Sequence, residues 1–117
     1  MGKCRRGELY WADLAPTIGH EQTGRRPVLI IQNDLGNQYA STTIIAPVTS
    51  RKRERVFPHE VAVPAGEGGL PKDSLVSLRQ IRVLDQRRLD ERIGRITYER
   101  MAEVNEAIKL SLGLIEI

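Results

Sequence analysis

Val28-Leu29-Ile30-Ile31 (residues 28–31) is the stretch that decides the fold. Its four large apolar side chains show no polar alternation, which is typical of a strand covered on both faces. Pro27 precedes the stretch and Asn33 follows it closely, so its length suits a strand rather than a helix. We therefore expect a buried central strand over Pro27–Gln32, with the core of the protein around it.

Other apolar runs of strand length precede and follow this strand, bounded by turn-forming residues. They cover Leu9–Leu14, Thr43–Val48, Val61–Val63 and Leu75–Leu84. Turn chemistry at residues 34–37 and 66–69 makes the connections short, and short connections favour antiparallel neighbours. The sequence predicts a mostly β protein, built as a small barrel or strongly twisted sheet of antiparallel strands.

The carboxyl-terminal part of the chain has a different period. Apolar residues recur there at steps of three and four: Met101, Val104, Ile108, Leu112 and Ile115. This spacing indicates one apolar face of an α-helix. Thr97 is placed to cap that helix, and Glu99 suits the positive end of its dipole. We expect the helix to pack on the sheet, after a helical turn at Asp85–Leu89 and a last strand at Arg92–Ile96.

Length and composition indicate one folded domain over residues 1–117. The chain is 40% hydrophobic and 28% charged, values ordinary for a globular domain. No apolar run approaches the ~18 residues of a membrane helix, and the amino terminus is too polar for a signal peptide, so we expect a cytoplasmic protein without a membrane partner. Cys4, His20 and His59 form no zinc spacing, so neither a metal site nor a cofactor is expected.

Positive charge is concentrated in the first half of the chain. The net charge is +3; residues 1–60 carry nine basic and six acidic side chains, whereas residues 61–117 carry nine of each. Fourteen of the 18 basic residues are arginine, whose guanidinium makes bidentate contacts with phosphate. A GC-rich coding sequence gives the same bias, so arginine content by itself favours nucleic acid only weakly.

The loop between the first two strands, residues 17–27, combines two glycines with titratable side chains, and such loops often carry function. Pro27 biases Arg26 toward an extended conformation. Suppose that residues 27–33 and 42–48 form antiparallel strands with Asn33 opposite Thr42. The two residue numbers of every facing pair then sum to 75, and Arg26 faces Thr49. A slip of one residue would place these two side chains on opposite faces of the sheet.

An arginine beside a hydroxyl group has a use in RNA cleavage. RNA carries its own nucleophile, the 2′-hydroxyl, so scission needs proton transfers and stabilisation of the phosphorane charge but no metal. The Arg26 guanidinium suits that electrostatic role, and the Thr49 hydroxyl suits holding the phosphate. Spacing alone, however, favours an ordinary strand-end arginine and a β-favouring threonine.

Several segments resemble the MazF/PemK family of toxins, in the same order and over most of the chain. They are residues 6–14 (RGELYWADL), 21–33 (EQTGRRPVLIIQN), 46–49 (APVT), 73–76 (DSLV) and 80–85 (QIRVLD), followed by the terminal helix. The resemblance implies a small SH3-like barrel of the CcdB/PemK type. It also implies the toxin of a type II toxin–antitoxin system, a metal-independent endoribonuclease that cleaves single-stranded RNA at specific sequences and leaves 2′,3′-cyclic phosphate and 5′-hydroxyl ends.

The resemblance further implies site residues and partners. The family's catalytic arginine and threonine fall on Arg26 and Thr49, and Glu21, Gln22 and Gln80 match positions that line the RNA groove. Family members are homodimers. Their antitoxin partner, MazE-like, places an acidic, apolar-studded carboxyl-terminal tail in the groove that RNA uses, a mode of folding on binding.

Two residues depart from the family pattern and leave base preference open. Arg79 stands where relatives often have an acidic residue, and His20 stands where a small polar residue is expected. We include both as RNA-binding candidates. An imidazole titrates near neutral pH and suits a general base, but for His20 we favour an exposed loop position without that role.

Two further features have ordinary interpretations. Trp11 lies among apolar neighbours and is interpreted as core. The basic segment 51–55 is interpreted as a solvated hairpin tip that still contacts phosphates.

Two other functions fit a small basic barrel. One is a non-catalytic toxin that inhibits gyrase, as CcdB does; the absence of a terminal tryptophan-glycine-isoleucine motif argues against it, since the chain ends Leu114-Ile115-Glu116-Ile117. The other is an RNA-binding barrel without turnover. In that protein, loss of Arg26 would weaken binding rather than abolish a reaction.

Overall fold

The structure, a computed structural model, describes residues 4–116 of the chain. The strands and helices are β1 (Glu8–Asp13), β2 (Arg25–Ile30), α1 (Asp34–Tyr39), β3 (Thr42–Ser50), β4 (Glu60–Val63), β5 (Ser74–Ser77), β6 (Arg82–Asp85), β7 (Leu89–Arg95) and α2 (Tyr98–Ser111). Single turns of 3-10 helix lie at Glu67–Gly69 and Gln86–Arg88. The second of these confirms the helical turn predicted at Asp85–Leu89.

The strands form one antiparallel sheet in the order β4-β5-β3-β2-β1-β7, and β6 pairs with the first half of β3. This confirms the predicted class, mostly β with a carboxyl-terminal helix. The predicted barrel, however, is not closed by backbone pairing, because β4 and β7 are edges. Next to β7 lies the 3-10 turn at Glu67–Gly69, where a Cβ added to Gly94 would stand 2.1 Å from the Gly68 carbonyl oxygen. Glycine at position 94 therefore allows that turn to pack directly on the β7 edge.

Strand β2 is covered on both faces, as its unbroken apolar sequence predicts. Val28, Leu29 and Ile30 expose none of their surface to solvent. Leu29 belongs to a core cluster that includes Val104 of α2, whereas Val28 and Ile30 belong to a second cluster with Leu84 of β6. Successive side chains of a strand point to opposite faces, so β2 contributes to both clusters.

Strands β2 and β3 pair in the predicted register. The facing pairs are Val28 with Pro47, Leu29 with Ala46, and Ile30 with Ile45. Each pair sums to 75, which confirms the register in the middle of the two strands. The predicted pairing of Asn33 with Thr42 is wrong, because the amides of Ile31 and Gln32 both donate to the Ile44 carbonyl, where the ladder ends, and Asn33 caps a helix.

The turn predicted at residues 34–37 is helix α1, because Asn33 caps its amino end and Asn37 anchors it. Asn37 is buried, and its Oδ1 accepts hydrogen bonds from Thr43 Oγ1 at 2.7 Å and from Gln32 Nε2 at 3.0 Å. Its Nδ2 donates to the Gln32 carbonyl at 3.0 Å. We call these three side chains the Asn37 network. It joins the end of β2 to the beginning of β3.

The single strand predicted over Leu75–Leu84 is two strands, β5 and β6, separated by residues 78–81. Strand β5 pairs with the second half of β3, and β6 pairs with its first half. Between the two sets of pairs β3 advances only from Val48 to Ile45, whereas the partner chain advances from Val76 to Arg82. The surplus residues cannot stay in the ladder, so the chain turns between the two strands. Gln80, predicted on a strand, therefore lies in the β5–β6 turn.

Helix α2 begins after Thr97, whose side chain accepts a hydrogen bond from the Arg100 amide at 3.1 Å, as predicted. It ends earlier than predicted, because Gly113 has φ +75° and the amides of Gly113 and Leu114 bond back to the last turn. Leu112 and Ile115, predicted on the apolar face, lie outside the helix and are exposed. Neither helix described in residues 4–116 has the length and apolar character of a membrane span.

An ion pair joins α2 to the 3-10 turn at Glu67–Gly69. Arg100 Nη2 lies 2.8 Å from Glu67 Oε1, and both side chains are largely buried. The hydrogen bond from Arg100 lowers the pKa of Glu67, although burial opposes this shift. Glu103, on the exposed surface of α2, also pairs with this guanidinium: its Oε2 lies 3.1 Å from Arg100 Nη1.

The Asn37 network predicts the result of shortening Asn37. Asn37→Ala leaves Thr43 Oγ1 and Gln32 Nε2 without their buried acceptor, so we expect the free energy of unfolding to fall by about 2 kcal/mol. Urea denaturation followed by circular dichroism measures the change. Leu35→Ala, an exposed position of the same helix, is the control and should stay within about 0.5 kcal/mol of the parent. Equal effects of the two changes would contradict the role given to Asn37.

The Glu67–Arg100 pair predicts a pH-dependent part of the stability. A carboxyl whose pKa is lowered by folding stabilises the protein above its ordinary pKa, and the contribution is lost as the pH falls through the lowered pKa. Glu67→Gln should therefore reduce the free energy of unfolding by about 1 kcal/mol at pH 7 and by progressively less from about pH 5 downward. Glu103→Gln, at the exposed partner, should change stability little at any pH. A Glu67→Gln difference that did not vary with pH would exclude this account.

Candidate functional site

Strands β2 and β3 bring Arg26 and Thr49 to the same end of the sheet. Continuing the β2–β3 register outward from Val28 and Pro47 places these two residues opposite each other, and cross-strand neighbours share a face. On its other side Thr49 pairs with Leu75 of β5. Both Arg26 and Thr49 are half-buried, and both line two adjoining cavities.

Arg26 carries a positive charge that no nearby carboxylate neutralises. Its Nε donates to the Thr23 carbonyl at 2.9 Å, which fixes the side chain at the base of the β1–β2 loop. Among residues 4–116, no carboxylate oxygen lies within 4.0 Å of its guanidinium nitrogens. The terminal nitrogens of Arg26 are therefore available to bind an anion.

The first cavity, which we call the basic cavity, has a volume of about 510 Å³. Besides Arg26 and Thr49, its lining includes Gln22, Lys52 and Arg53. Three cationic side chains thus line the cavity together with Thr49. This arrangement suits a chain of phosphates, because cationic side chains contact the backbone of nucleic acids irrespective of sequence.

The segment predicted as a solvated basic tip, residues 51–55, is held in place on one side of the basic cavity. Arg53 forms an ion pair of 2.6 Å with Glu60, and its guanidinium carbon lies 4.6 Å from the centre of the Phe57 ring. Burial raises the pKa of Glu60, but hydrogen bonds from Arg53 and from the Phe57 amide outweigh it and leave that pKa below its ordinary value. The ion pair and the stacked ring fix the position of Arg53.

The second cavity, which we call the tryptophan cavity, has a volume of about 230 Å³. Trp11 of β1 lines it together with Arg25, Pro27 and Pro71. The interpretation of Trp11 as core is therefore wrong: the residue is half-buried and faces this cavity. The sequence could have indicated this position of Trp11. Asp13 follows two residues later on the same face of β1, and a charged residue there indicates that this face meets solvent.

The base of the β1–β2 loop is held by two arginines from the far part of the chain. Arg82 Nη1 donates to the Leu14 carbonyl at 3.0 Å. Arg88 Nη2 donates to the carbonyls of Asp13 and Ala15, each at 2.6 Å. Sequence reasoning did not assign these arginines, because their partners are backbone oxygens and leave no mark in the sequence.

The same loop is joined to the β5–β6 turn through Gln80. Its Oε1 accepts from the Gln22 amide, and its Nε2 donates to the His20 carbonyl, each at 3.3 Å. Glu21 binds within the loop, since its Oε1 accepts from the Ile18 amide at 2.5 Å. Gln80 thereby sets the position of Gln22 at the basic cavity.

The residues predicted to bind RNA are thus placed in three ways. Gln22 lines the basic cavity, and Gln80 holds the loop that carries it. The side chains of His20, Glu21 and Arg79 are exposed and line neither cavity. Separately, residues 4–116 contain no group of three or more His, Cys, Asp or Glu side chains arranged to hold a metal ion.

Comparison with known proteins identifies one matching family and several relatives. The profile of the PemK-like, MazF-like toxin of type II toxin-antitoxin systems matches residues 5–112. Endoribonuclease EndoA of Bacillus subtilis is 43% identical over 112 residues, which cover 96% of this chain and 97% of the relative. Endoribonuclease MazF of Staphylococcus saprophyticus is 48% identical over 110 residues, which cover 94% of this chain and 92% of the relative.

Solved structures include one with the same fold and a bound partner. An endoribonuclease from a mycobacterial species, in complex with its cognate antitoxin, superposes with a TM-score of 0.80 at 25% identity. The superposition covers 97% of this chain and 99% of that one. The likeness therefore extends over nearly the whole fold.

Proposed function

The chain belongs to the PemK-like, MazF-like toxin family of type II toxin–antitoxin systems and is an endoribonuclease toxin, and we propose that it cleaves single-stranded RNA with Arg26 and Thr49. One observation carries the assignment of these two residues. Continuing the β2–β3 register from Val28 and Pro47 sets them opposite each other, both line the same two cavities, and no carboxylate lies within 4.0 Å of Arg26 among residues 4–116.

The reaction rearranges bonds within the RNA. The 2′-oxygen gives up its proton and forms a bond to phosphorus, while the bond between phosphorus and the 5′-oxygen of the next nucleotide breaks. That 5′-oxygen takes up a proton, so the step consumes no net proton and leaves a 2′,3′-cyclic phosphate and a 5′-hydroxyl. Negative charge on the non-bridging oxygens increases as the phosphorane forms.

Arg26 stabilises that charge, because its guanidinium is positioned before the substrate binds and is fixed by the Thr23 carbonyl. The Thr49 hydroxyl donates to a non-bridging oxygen and orients the phosphate for attack by the 2′-oxygen. Lys52 and Arg53 bind neighbouring phosphates along the basic cavity. These roles use side chains alone and need neither a metal nor a cofactor.

Base recognition is assigned to the β1–β2 loop and the β5–β6 turn. Gln22 supplies an amide in the basic cavity, where it can pair with a base edge. His20, Glu21 and Arg79 lie exposed around that cavity's loop and turn, and contact bases farther along the strand. Gln80 acts by holding the loop, since both of its amide atoms are engaged there.

A homodimer and an antitoxin complete the assembly that we propose. Val83 of β6 and the carboxyl-terminal Leu112 and Leu114 are large apolar side chains left exposed on the single chain, and burial against a second copy would remove them from water. The related mycobacterial endoribonuclease binds its cognate antitoxin. An acidic antitoxin tail suits the cationic lining of the basic cavity, so RNA and antitoxin should compete for it.

Replacing Arg26 tests the catalytic assignment. We expect Arg26→Ala to lower the rate of RNA cleavage by about 10²- to 10³-fold, because one preorganised charge at the transition state is lost. Thr49→Val should lower it by a smaller factor, and cleavage by the parent protein should be unchanged in EDTA. Gel analysis of one long transcript, with sequencing of fragment 5′ ends, measures both rate and cleavage sequence.

Arg87→Ala is the matched control, because this arginine is paired with Asp85 and lines neither cavity. It should retain nearly full activity. Weaker RNA binding without loss of turnover in Arg26→Ala would instead support an RNA-binding role for the arginine, and inhibition by EDTA would show a metal requirement.

The assembly is tested by mass and by competition. Light scattering of the purified chain should give twice the mass of one chain. Adding the cognate antitoxin should reduce cleavage and release a fluorescent RNA from the protein, and raising the salt concentration should weaken RNA binding because phosphate contacts are screened. A ternary complex in which antitoxin and RNA bind together would contradict a shared groove.

A further inference from the structure

The two cavities at Arg26 and Thr49 differ in lining, although both open on the same pair of residues. Both cavities are lined by cationic side chains, but the tryptophan cavity adds an indole ring and two prolines, whereas the basic cavity adds the amide of Gln22. We propose that the tryptophan cavity binds one nucleobase of the RNA strand, that of a nucleotide directly flanking the scissile phosphate. This inference rests on the proposed function, in which Arg26 and Thr49 hold that phosphate.

The lining of the tryptophan cavity suits a flat, partly apolar ring. Trp11 supplies an aromatic surface, and Pro27 and Pro71 add apolar walls that need little ordering. Unpaired bases of single-stranded RNA stack on aromatic side chains, and each such contact strengthens binding about tenfold to a hundredfold. Because every base has a stacking face, this contact contributes affinity at the flanking position in addition to sequence selection by the β1–β2 loop.

Arg25 adds a second surface of the same kind. Its guanidinium carbon lies 4.7 Å from the centre of the Trp11 ring, and its Nη2 lies 3.2 Å from a carboxylate oxygen of Asp90. The Arg25 guanidinium thus lies over one face of the indole, and its own outer face can stack on a base while its nitrogens donate hydrogen bonds to the base edge. Lys72 also lines this cavity and supplies a cation for the phosphate of the bound nucleotide.

The size of the tryptophan cavity limits its occupant. Its volume of about 230 Å³ lies below the roughly 300 to 1,000 Å³ of pockets that enclose drug-sized ligands. One base fits this limit and a dinucleotide does not. The adjoining basic cavity, at about 510 Å³, is cationic and takes the backbone that continues on the other side of the scissile phosphate.

The resulting arrangement is asymmetric about the scissile bond. On one side of the scissile phosphate a base turns away from its neighbours in the RNA strand and enters the tryptophan cavity. This fixes the ribose of that nucleotide relative to Arg26. On the other side the strand is held mainly through phosphates. Fixing the ribose on one side aligns the attacking oxygen with the leaving oxygen, and such alignment accelerates reactions that need an in-line approach.

Trp11 is the single tryptophan of the chain, so its fluorescence reports on this cavity alone. The probe is an RNA oligonucleotide of the mapped cleavage sequence, with 2′-deoxyribose at the attacking nucleotide to prevent cleavage. Two further probes lack the base on either side of the scissile phosphate. Binding is followed in parallel by the anisotropy of a terminal dye.

We expect the intact probe to quench Trp11 emission. Removing the base on one flank should abolish the quenching and weaken binding about tenfold to a hundredfold, whereas removing the base on the other flank should leave the quenching in place. Bound probes that all leave the emission unchanged, or that all quench it equally, would overturn the proposal. So would quenching by the antitoxin but by none of the RNA probes, since the cavity would then bind a protein side chain.

Variants at Trp11 give a second measurement. Trp11→Leu should bind the intact probe and the sensitive base-free probe with nearly equal affinity, because the contact that distinguishes them is gone, while Trp11→Phe should retain most of the difference. Tyr98→Ala, which removes an exposed aromatic ring from α2, is the control and should keep the full difference. A full difference in Trp11→Leu would also overturn the proposal.

These results can be told apart from a failure of the proposed function. If Arg26→Ala cleaves RNA normally, the catalytic assignment is wrong whatever Trp11 does. If Arg26→Ala is inactive and cleavage by the parent is equally fast with and without each flanking base, the catalytic assignment stands and the base-binding cavity is wrong.

Discussion

The register between β2 and β3 is the constraint on which the site depends, since it alone places Arg26 and Thr49 on one face of the sheet. Apolar burial does not fix this register by itself, because β2 is apolar on both faces and a slipped strand would still be buried. The Asn37 network removes the ambiguity. A buried amide that must satisfy Thr43 and Gln32 together tolerates only one alignment, and no buried side-chain nitrogen or oxygen in residues 4–116 lacks a partner.

Arginines serve several purposes in this fold, and their environment distinguishes them. Arg100 and Arg92 form ion pairs with largely buried carboxylates, Glu67 and Glu8. Arg88 donates to backbone oxygens at the base of the β1–β2 loop. Arg26 lines both cavities beside Thr49, meets no carboxylate within 4.0 Å among residues 4–116, and uses only its Nε in a hydrogen bond, so its terminal nitrogens keep a positive potential for a phosphate. A net charge of +3 therefore says less about phosphate binding than the position of the Arg26 guanidinium at the two cavities does.

The β1–β2 loop connects recognition to the rest of the fold. It follows Asp13, Leu14 and Ala15, whose carbonyls are held by arginines from β6 and the next 3-10 turn, and it meets Gln80 near its tip. A loop held at both its base and its tip presents Gln22 with a defined direction. Substrate preference in this protein therefore depends on contacts within the protein as well as on the groups that touch RNA.

The sequence by itself determined the central strand, the antiparallel class and the terminal helix with its Thr97 cap, because these follow from local periodicity and capping. It allowed the register that sets Arg26 opposite Thr49 as one alignment among others, and the buried Asn37 network selects that alignment. The tertiary structure alone decided that residues 34–39 form a helix, that the run over Leu75–Leu84 breaks in two, and that Trp11 faces a cavity. The broken run and the cavity depend on partners distant in sequence, such as the two halves of β3 with β5 and β6, whereas the helix depends on burial of Asn37 against Thr43. A pattern of side chains records which residues prefer burial, but where the core ends and a cavity begins is set by the packing of the whole sheet.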